Sequence, residues 1–240
     1  MEKLDEFAPN DMFFIQDVDN DNACFYRSIA NQLYYKSFYD KCIMILSRNN
    51  CWRTKQLENL DKENWGYNGP EQTKTSKVLQ QISRKFIYKN RDKKIPELGI
   101  KVYELVSMVH DLSEMRELFP GWEDIDIYNH IYKSFAGDNV MVHNGNKYIK
   151  IKERWGSAVE QWALSEHLKV PIIIWELCKH DKRTGEIKIG RIRNNIATKN
   201  SFFKIQQIFG RRFSNTPLNI LYRNSQGGSH YMSLYHNEKY

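Results

Sequence analysis

A cysteine near the start of the chain has the placement that nucleophilic chemistry requires. Cys24 follows the polar run "DNDNA", and three apolar residues recur behind it at four-residue spacing: Phe25, Ile29 and Leu33. This spacing predicts an amphipathic helix that begins at Cys24. Free N–H groups and the helix dipole at such a position stabilise a thiolate, the nucleophilic form of cysteine. By this local pattern alone, however, such a cysteine is more often a small buried hydrophobic side chain.

A cysteine nucleophile also needs a base, and the chain contains seven histidines. His230 is the best placed, because it follows the glycines of "QGGSH" and opens a strand of alternating apolar residues. Its ring can project from the strand end beside a loop where a substrate approaches. His167 lies in a helical pattern and His180 in a charged turn, and both positions favour surface roles.

The composition predicts a protein that folds in a reducing compartment. A chain of 240 residues with 41% hydrophobic residues can build a sizeable core without staples. Four cysteines stand far apart in the sequence: Cys24, Cys42, Cys51 and Cys178. None has zinc-ligand spacing to another cysteine or histidine, so we expect no disulfide framework, no metal and no cofactor.

The sequence contains no pattern typical of secretion or membrane insertion. The N-terminus lacks a signal-peptide pattern, and the longest aliphatic run, "VPIII", is too short to span a bilayer. We therefore expect a cytosolic monomer that does not bind membranes. If the chain comes from a virus or is delivered by a bacterium, the expected location is the host cytosol.

Charge is distributed unevenly along the chain, whose net charge is +7. Residues 48–94 hold 12 basic and 5 acidic residues, and residues 179–212 hold 10 and 2. Between them, residues 97–126 hold 8 acidic and 2 basic residues. A solvated surface is the simplest interpretation, because basic segments without a recognisable binding motif are weak support for a nucleic-acid partner.

The hydrophobic pattern changes along the middle of the chain. Residues 49–97 are polar and basic and are broken by "WGYNGPEQT", so we interpret them as an insertion or arm with short helices outside the core. Residues 98–118 have the periodicity of a helix. The turn-forming segment "FPGWED" ends that helix.

The last part of the chain predicts a helix followed by strands. Ser157 and Glu160 have the spacing of a helix capping box, and "VPIIIWEL" has the composition of a buried strand. "GEIKIGRIR" alternates like a half-exposed strand, and "LNILYR" and "SHYMSLY" flank a glycine-containing turn, as in a β-hairpin. These elements describe one α/β or α+β domain over residues 1–240, with the final hairpin in its sheet.

Three segments share a pattern with a known protease family. "DNACFYRSI" matches D-x-x-C-[FL]-[FY]-R-[SA], "KYIKIKERWGSAVEQWALSEHLKVPIIIW" matches a Trp-Gly loop before a Glu-bearing helix and a strand, and "SHYMSLY" matches a His-Tyr strand. In this order they resemble the boxes of the ovarian tumour (OTU) cysteine proteases, which are largely deubiquitinases. The resemblance implies a papain-type fold in which helices flank a small central β-sheet and a helical insertion is present. Residues 37–97 do not align with the family.

The resemblance implies a role for each matching residue. Cys24 would be the nucleophile, His230 the general base, and Asp21 the organiser of the loop that forms the oxyanion hole. Arg27 would anchor the helix start through polar contacts, and Glu160 would cap its own helix. The implied substrate channel is bordered by Trp155, Gly156, Gly228 and Tyr231.

One position departs from the family pattern. Many members carry Asp or Asn two residues after the histidine to orient the imidazole, and this chain has Met232 there. Methionine does not usefully accept that N–H bond. The orienting residue must then come from elsewhere, and Asp17 and Asp19 are the candidates. A Cys–His dyad with a backbone or water partner is the alternative.

The function implied by the resemblance is thiol-dependent hydrolysis of isopeptide bonds at the C-terminal glycine of ubiquitin, in polyubiquitin chains or on other proteins, or of a ubiquitin-like modifier. The acidic residues 97–126 are then candidates to contact the arginines of the ubiquitin tail, with an ordinary surface role equally open. Two other classes remain. Met232 motivates a non-catalytic ubiquitin-binding protein with this fold, and the basic segments motivate, less strongly, a nucleic-acid-binding protein.

Overall fold

The computed structural model describes residues 6–18, 23–35, 70–133, 139–144, 147–152, 156–193, 195–225 and 228–237. The helices in these ranges are α1 (Cys24–Tyr35), α2 (Pro70–Lys89), α3 (Val102–Val109), α4 (Ser113–Leu118), α5 (Asp124–Lys133) and α6 (Ala158–Leu168). None of these six helices is long and apolar enough to cross a lipid bilayer.

The strands of the described ranges form one large sheet and two small ones. The large sheet contains β1 (Phe7–Pro9), β2 (Phe13–Gln16), β5 (Ile172–His180), β6 (Ile187–Ile189), β9 (Ser201–Phe209), β10 (Leu218–Ser225) and β11 (Gly228–His236). The small sheets pair β3 (Asn139–Asn144) with β4 (Lys147–Lys152), and β7 (Ile192–Arg193) with β8 (Ile196–Ala197). The large sheet has the order β1-β9-β5-β10-β11-β2, with β6 beside β5. Among these described strands, β5 and β10 are the one parallel pair in the large sheet.

The large sheet curls because its two edge strands are neighbours in sequence. β1 and β2 lie at opposite ends of the sheet, yet only residues 10–12 join them. The edges must therefore approach each other. The ring of Phe13 on β2 lies 5.2 Å from the rings of Trp175 on β5 and Phe203 on β9, between centroids, and these contacts fill the inside of the curl.

Helices cover the outer face of the curled sheet. α1, α2 and α6 share one buried apolar cluster with β5 and β10. Along β5, Ile172 and Ile174 belong to this helix-covered cluster, whereas Ile173 and Trp175 face the inside of the curl. The strand is buried on both faces, which explains its nearly continuous apolar sequence.

A second apolar cluster lies on the far side of α6. It joins α3, α4 and α5 to the end of α2 and to Val159, Trp162 and Ala163 of α6. Leu164 and Leu168 of the same helix pack toward the sheet. The helix is thus buried almost all round, and not on one face alone.

Two middle segments differ from their sequence-based predictions. The expected arm at 49–97 contains, over the described residues 70–97, the 20-residue helix α2, whose Leu79, Ile82 and Ile87 are core residues. Residues 49–69 lie outside the described ranges. Residues 98–118, predicted as one helix, form α3 and α4 with a break at residues 110–112. The arm prediction was wrong for residues 70–89 because polar residues such as Gln72 and Ser83 are buried and satisfied inside the fold.

The architecture confirms the predicted fold class, which is α+β with a central sheet flanked by helices. The predicted helix at Cys24, the buried strand after α6 and the final hairpin are all present. The strand predicted at 185–193 is present as two short strands, β6 and β7, but their residues are mostly exposed and not half-buried.

Phe13 should be one of the residues on which the curl depends most. It is 5% exposed, so Phe13→Ala should lower the free energy of unfolding by about 3–5 kcal/mol through cavity formation. The neighbouring Phe14 is 59% exposed on the opposite face, and Phe14→Ala should change it by about 0.5 kcal/mol or less. Urea unfolding of both variants measures this difference. Equal losses in the two variants would contradict the closed curl.

Candidate functional site

Helix α1 lies along β11 and runs in the same direction. The hydroxyl of Ser233 on β11 donates to the carbonyl of Ser28 on α1 at 3.0 Å. Cys24 is the first residue of α1, and His230 is the third of β11. The starts of the helix and of the strand therefore meet at one end of the sheet, where the two residues predicted to do chemistry lie next to each other.

The strand β2 brings an acid to the other side of His230. Gln16 on β2 is paired with Ser233 on β11, so the next residue, Asp17, follows opposite Met232. His230 is then its diagonal neighbour on the same face of the sheet. His230 Nε2 donates to Asp17 Oδ1 at 2.6 Å. Asp17, the first residue after β2, thus accepts a hydrogen bond from His230 that Met232 cannot accept.

The Asp17 contact changes the protonation of both partners. Burial alone lowers the pKa of His230, but the hydrogen bonds and charges of Asp17 and Cys24 outweigh burial and raise the pKa to about 9. Burial likewise raises the pKa of Asp17, but the hydrogen bond and charge of His230 outweigh it and lower the pKa below its usual range. The imidazole is therefore held as the imidazolium at neutral pH.

The second ring nitrogen of His230 is the one available to the thiol. Nε2 is bonded to Asp17, and Nδ1 is buried without a well-formed hydrogen bond in the described part of the chain. Cys24 is near enough to raise the pKa of His230 through a hydrogen bond and its charge, although no contact of Nδ1 with the described residues meets ordinary hydrogen-bond geometry. Long nucleophile–base contacts are common in substrate-free enzymes.

Cys24 is a free thiol with no exposed surface. It belongs to the apolar cluster beneath α1, together with Phe25 and Tyr231. Reaction at its sulfur therefore requires the groups that cover it to move. Asp19 and Asp21 lie outside the described residues, so the alternative orienting role of Asp19 and the oxyanion-loop role of Asp21 stay predictions.

The start of α6 carries the expected capping box. Glu160 Oε2 accepts from the Ser157 backbone N–H at 2.9 Å, and the Ser157 hydroxyl also donates to it. The other oxygen, Oε1, accepts from Tyr128 at 2.8 Å and from His110 Nε2 at 3.0 Å. Burial raises the pKa of Glu160, but attraction to His110 and these hydrogen bonds outweigh it and hold the pKa at about 2. Glu160 is therefore a buried carboxylate as well as a cap.

The proposed channel residues have different surroundings. A Cβ on Gly156 would lie 2.0 Å from Cδ1 of Phe25, so this glycine is required for close packing against α1. The ring of Tyr231 is 7% exposed, and its hydroxyl accepts from Gln161 Nε2 at 3.0 Å. Gly228 begins β11, and Trp155 lies outside the described ranges. Tyr231 thus has the contacts of a core side chain, and its part in a channel remains a prediction.

Arg27 makes the polar contacts expected of it. Its Nη1 donates to Thr73 Oγ1 at 2.8 Å and to Gln72 Oε1 at 3.3 Å. These bonds fasten the first turns of α1 to the first turn of α2. Sequence reasoning missed Gln161 and two partners of Glu160, His110 and Tyr128, because these contacts join positions that are far apart in sequence and no local spacing indicates them. Within the described residues, no three metal-ligating side chains come together.

Comparison with known proteins adds little to this geometry. No protein-family model matches the chain. No curated protein matches it. Among solved structures, the chain is similar to the crystal structure of the viral OTU domain protease from Qalyub virus, with 14% identity and a TM-score of 0.38 over 97% of this chain and 86% of that chain. At this level the similarity decides neither fold nor function, so the function must be judged from the site itself.

The Asp17–His230 contact should be visible in the titration of the histidine. In Asp17→Asn the carboxylate is lost, so the pKa of His230 should fall from about 9 toward the ordinary value of 6.5. NMR titration of the imidazole signals measures this shift. The exposed Asp11 offers a matched control, and Asp11→Asn should leave the titration of His230 unchanged. An unchanged titration in Asp17→Asn would contradict the contact.

The same contact should make stability depend on pH. A raised histidine pKa contributes stability that is complete below pH 6.5 and is lost as the pH rises through about 9. The lowered pKa of Asp17 contributes stability above 3.8 that is lost as the pH falls. The difference in melting temperature between the wild type and Asp17→Asn should therefore be largest between pH 3.8 and pH 6.5.

Proposed function

We propose that this protein is a cysteine protease that hydrolyses isopeptide bonds at the C-terminal glycine of ubiquitin or a ubiquitin-like modifier. The observation that carries the proposal is the position of His230, which is bonded to Asp17 at 2.6 Å on one side and lies next to Cys24 on the other. This is the order that nucleophilic catalysis needs, because a base adjoins the nucleophile and a third group orients the base. The modifier as substrate rests on the OTU-like sequence segments.

In the acylation step, the Cys24 thiolate attacks the carbonyl carbon of the modifier's terminal glycine. A sulfur–carbon bond forms, and the carbonyl oxygen carries the developing negative charge. The carbon–nitrogen bond then breaks as the His230 imidazolium gives its proton to the leaving lysine amine. A pKa of about 9 keeps that proton available at neutral pH, and Asp17 holds the ring in place through the transfer.

In the deacylation step, the neutral His230 takes a proton from water. The resulting hydroxide attacks the thioester carbon and the carbon–sulfur bond breaks. The modifier leaves as a carboxylic acid, which gives its proton to bulk water at neutral pH. The departing sulfur is again a thiolate, and the proton remains on His230. The thiolate–imidazolium pair is thereby restored, and no proton is left unaccounted for.

The developing oxyanion needs donors close to Cys24. The backbone N–H of Cys24 is one of the first N–H groups of α1, and such groups have no partner within their own helix. We assign it to the oxyanion hole, together with N–H groups of the preceding loop that Asp21 organises. Helix N-termini favour negative charge, which supports this assignment.

The acidic residues 97–126 are also candidates to contact the basic tail of ubiquitin. Several of these acids serve the fold, since Glu97 accepts from Gly210 and Asp124 is paired with Arg116. Glu114, Glu117 and Glu123 are exposed. These three carboxylates are the ones that we assign to contact with arginines of the modifier.

A non-catalytic ubiquitin-binding protein is the second candidate, because Met232 lacks the acceptor that many related enzymes carry. The hydrogen bond between Asp17 and His230 weighs against this alternative, since Asp17, the residue after β2, offers the imidazole an acceptor. The two candidates differ in whether the thiol of Cys24 is activated.

Reaction with ubiquitin that bears a C-terminal Michael acceptor should distinguish the two candidates. The wild type should form one covalent adduct, located at Cys24 by peptide mass spectrometry, because an activated thiolate adds to the acceptor. Cys24→Ala should form none and should lose all hydrolysis of diubiquitin. Cys178→Ala should react like the wild type, because burial and Glu176 raise the pKa of the Cys178 thiol to about 11. A wild type that forms no adduct would overturn the proposal.

Removal of the orienting carboxylate should slow turnover strongly. For Asp17→Asn we expect kcat for diubiquitin to fall by roughly 10²- to 10⁴-fold, because the imidazole loses its preferred tautomer and orientation. Steady-state kinetics across a panel of diubiquitin linkages measures this loss. An Asp17→Asn enzyme with wild-type turnover would show that another residue orients His230.

A further inference from the structure

The residues that follow Cys24 and His230 in sequence contact each other. Phe25 comes directly after Cys24 on α1, and Tyr231 comes directly after His230 on β11. Their rings meet edge to face at a centroid distance of 5.4 Å. Phe25 is fully buried and Tyr231 is 7% exposed, so neither ring can move without disturbing the core.

The start of α6 touches both rings. Gly156 lies against Phe25 so closely that an added Cβ would be 2.0 Å from Cδ1 and 2.8 Å from Cβ of that residue. Gln161, in the first turns of the same helix, donates from Nε2 to the Tyr231 hydroxyl at 3.0 Å. Residues 156–161 therefore contact both Phe25, which follows the nucleophile, and Tyr231, which follows the base.

The segment is itself fixed by a buried carboxylate. Glu160 holds Ser157, the residue after Gly156, through its backbone N–H and its hydroxyl. It also accepts from His110 at the end of α3 and from Tyr128 on α5. Glu160 and His110 are 2% and 3% exposed, so these bonds are shielded from water and rigid. The helices α3, α5 and α6 thus converge on one point behind the candidate site.

We propose that Gly156 and Gln161, held in place by Glu160, form a brace that sets the separation between the Cys24 thiol and the His230 imidazole. They are positioning residues, because they act on the reacting groups only through Phe25 and Tyr231. The proposal rests on the proposed function. The attraction between a thiolate and an imidazolium falls with distance, and small displacements of reacting groups cost large factors in rate. A thiolate–imidazolium pair therefore requires rigid contacts on Phe25 and on Tyr231, the residues next to its two members.

The brace can be tested without ubiquitin, by alkylation of Cys24 with iodoacetamide, in which the sulfur displaces iodide. Peptide mass spectrometry separates Cys24 from the other cysteines. The ratio of the Cys24 rate at pH 7 to that at pH 10 measures how far the imidazolium assists the thiol, because at pH 10 a thiolate forms without assistance.

The variants Gly156→Ala and Gln161→Leu should both lower this ratio, by about tenfold or more for Gly156→Ala, because its new methyl group displaces Phe25. Phe25→Leu removes the ring atoms that the methyl group meets. The double variant Gly156→Ala with Phe25→Leu should therefore regain the wild-type ratio to within about threefold. Ile95→Ala serves as the control. Ile95 is a core residue of the second apolar cluster, on the far side of α6, so this change should lower the melting temperature and leave the ratio unchanged.

The outcomes separate positioning from ordinary stability. If Gly156→Ala and Gln161→Leu keep the wild-type ratio, or if Ile95→Ala lowers it equally, the brace is refuted. If Gly156→Ala fails to fold, Gln161→Leu carries the test alone, because it removes one hydrogen bond and adds no bulk. If the wild type does not react with the ubiquitin electrophile but the variants change the ratio as expected, the proposed function is overturned and the brace is supported.

Discussion

The pairing of β2 with β11 is the constraint on which the candidate site depends. It closes the curl of the sheet, and it places Asp17 beside His230. The same strand β11 carries α1 on its outer face, so Cys24 comes to the other side of the imidazole. A single strand thus supports all three groups. Asp17 need not be close to His230 in sequence. A carboxylate that follows an adjacent strand can reach the imidazole when it lies diagonally across from the histidine.

Sequence patterns predicted the parts of the site that depend on residues close together in the sequence. The helix start at Cys24, the capping box of Ser157 and Glu160, and the strand of His230 all follow from short spacings. From sequence, the acid beside His230 could be narrowed only to Asp17 or Asp19, because the choice depends on the register of β2 against β11, and register is set by the whole sheet. The brace could not be predicted at all. Gln161 and Tyr231 are 70 positions apart, and a polar residue in a helix is usually a surface residue.

The fold was predicted best where apolar residues follow one period, and worst where polar residues are buried. β5 and the hairpin of β10 and β11 have plain strand patterns. Helix α2 was mistaken for part of an exposed arm, because its buried face includes polar residues that bond to one another and to α1, among them Gln72 and Ser83. Sequence composition counts every polar residue as one that prefers water. It does not indicate a polar group that is buried with all its hydrogen bonds made inside the fold.

The bond between Asp17 and His230 joins positions that are 213 residues apart. A chain synthesised from its N-terminus contains Cys24 long before β11 has been made. Until that strand takes its place, the imidazole of His230 does not lie beside the thiol. Such long-range closure is slow, because most of the chain must lose entropy before the last contact forms. The topology therefore delays the meeting of Cys24, His230 and Asp17 until β11 has paired with β2.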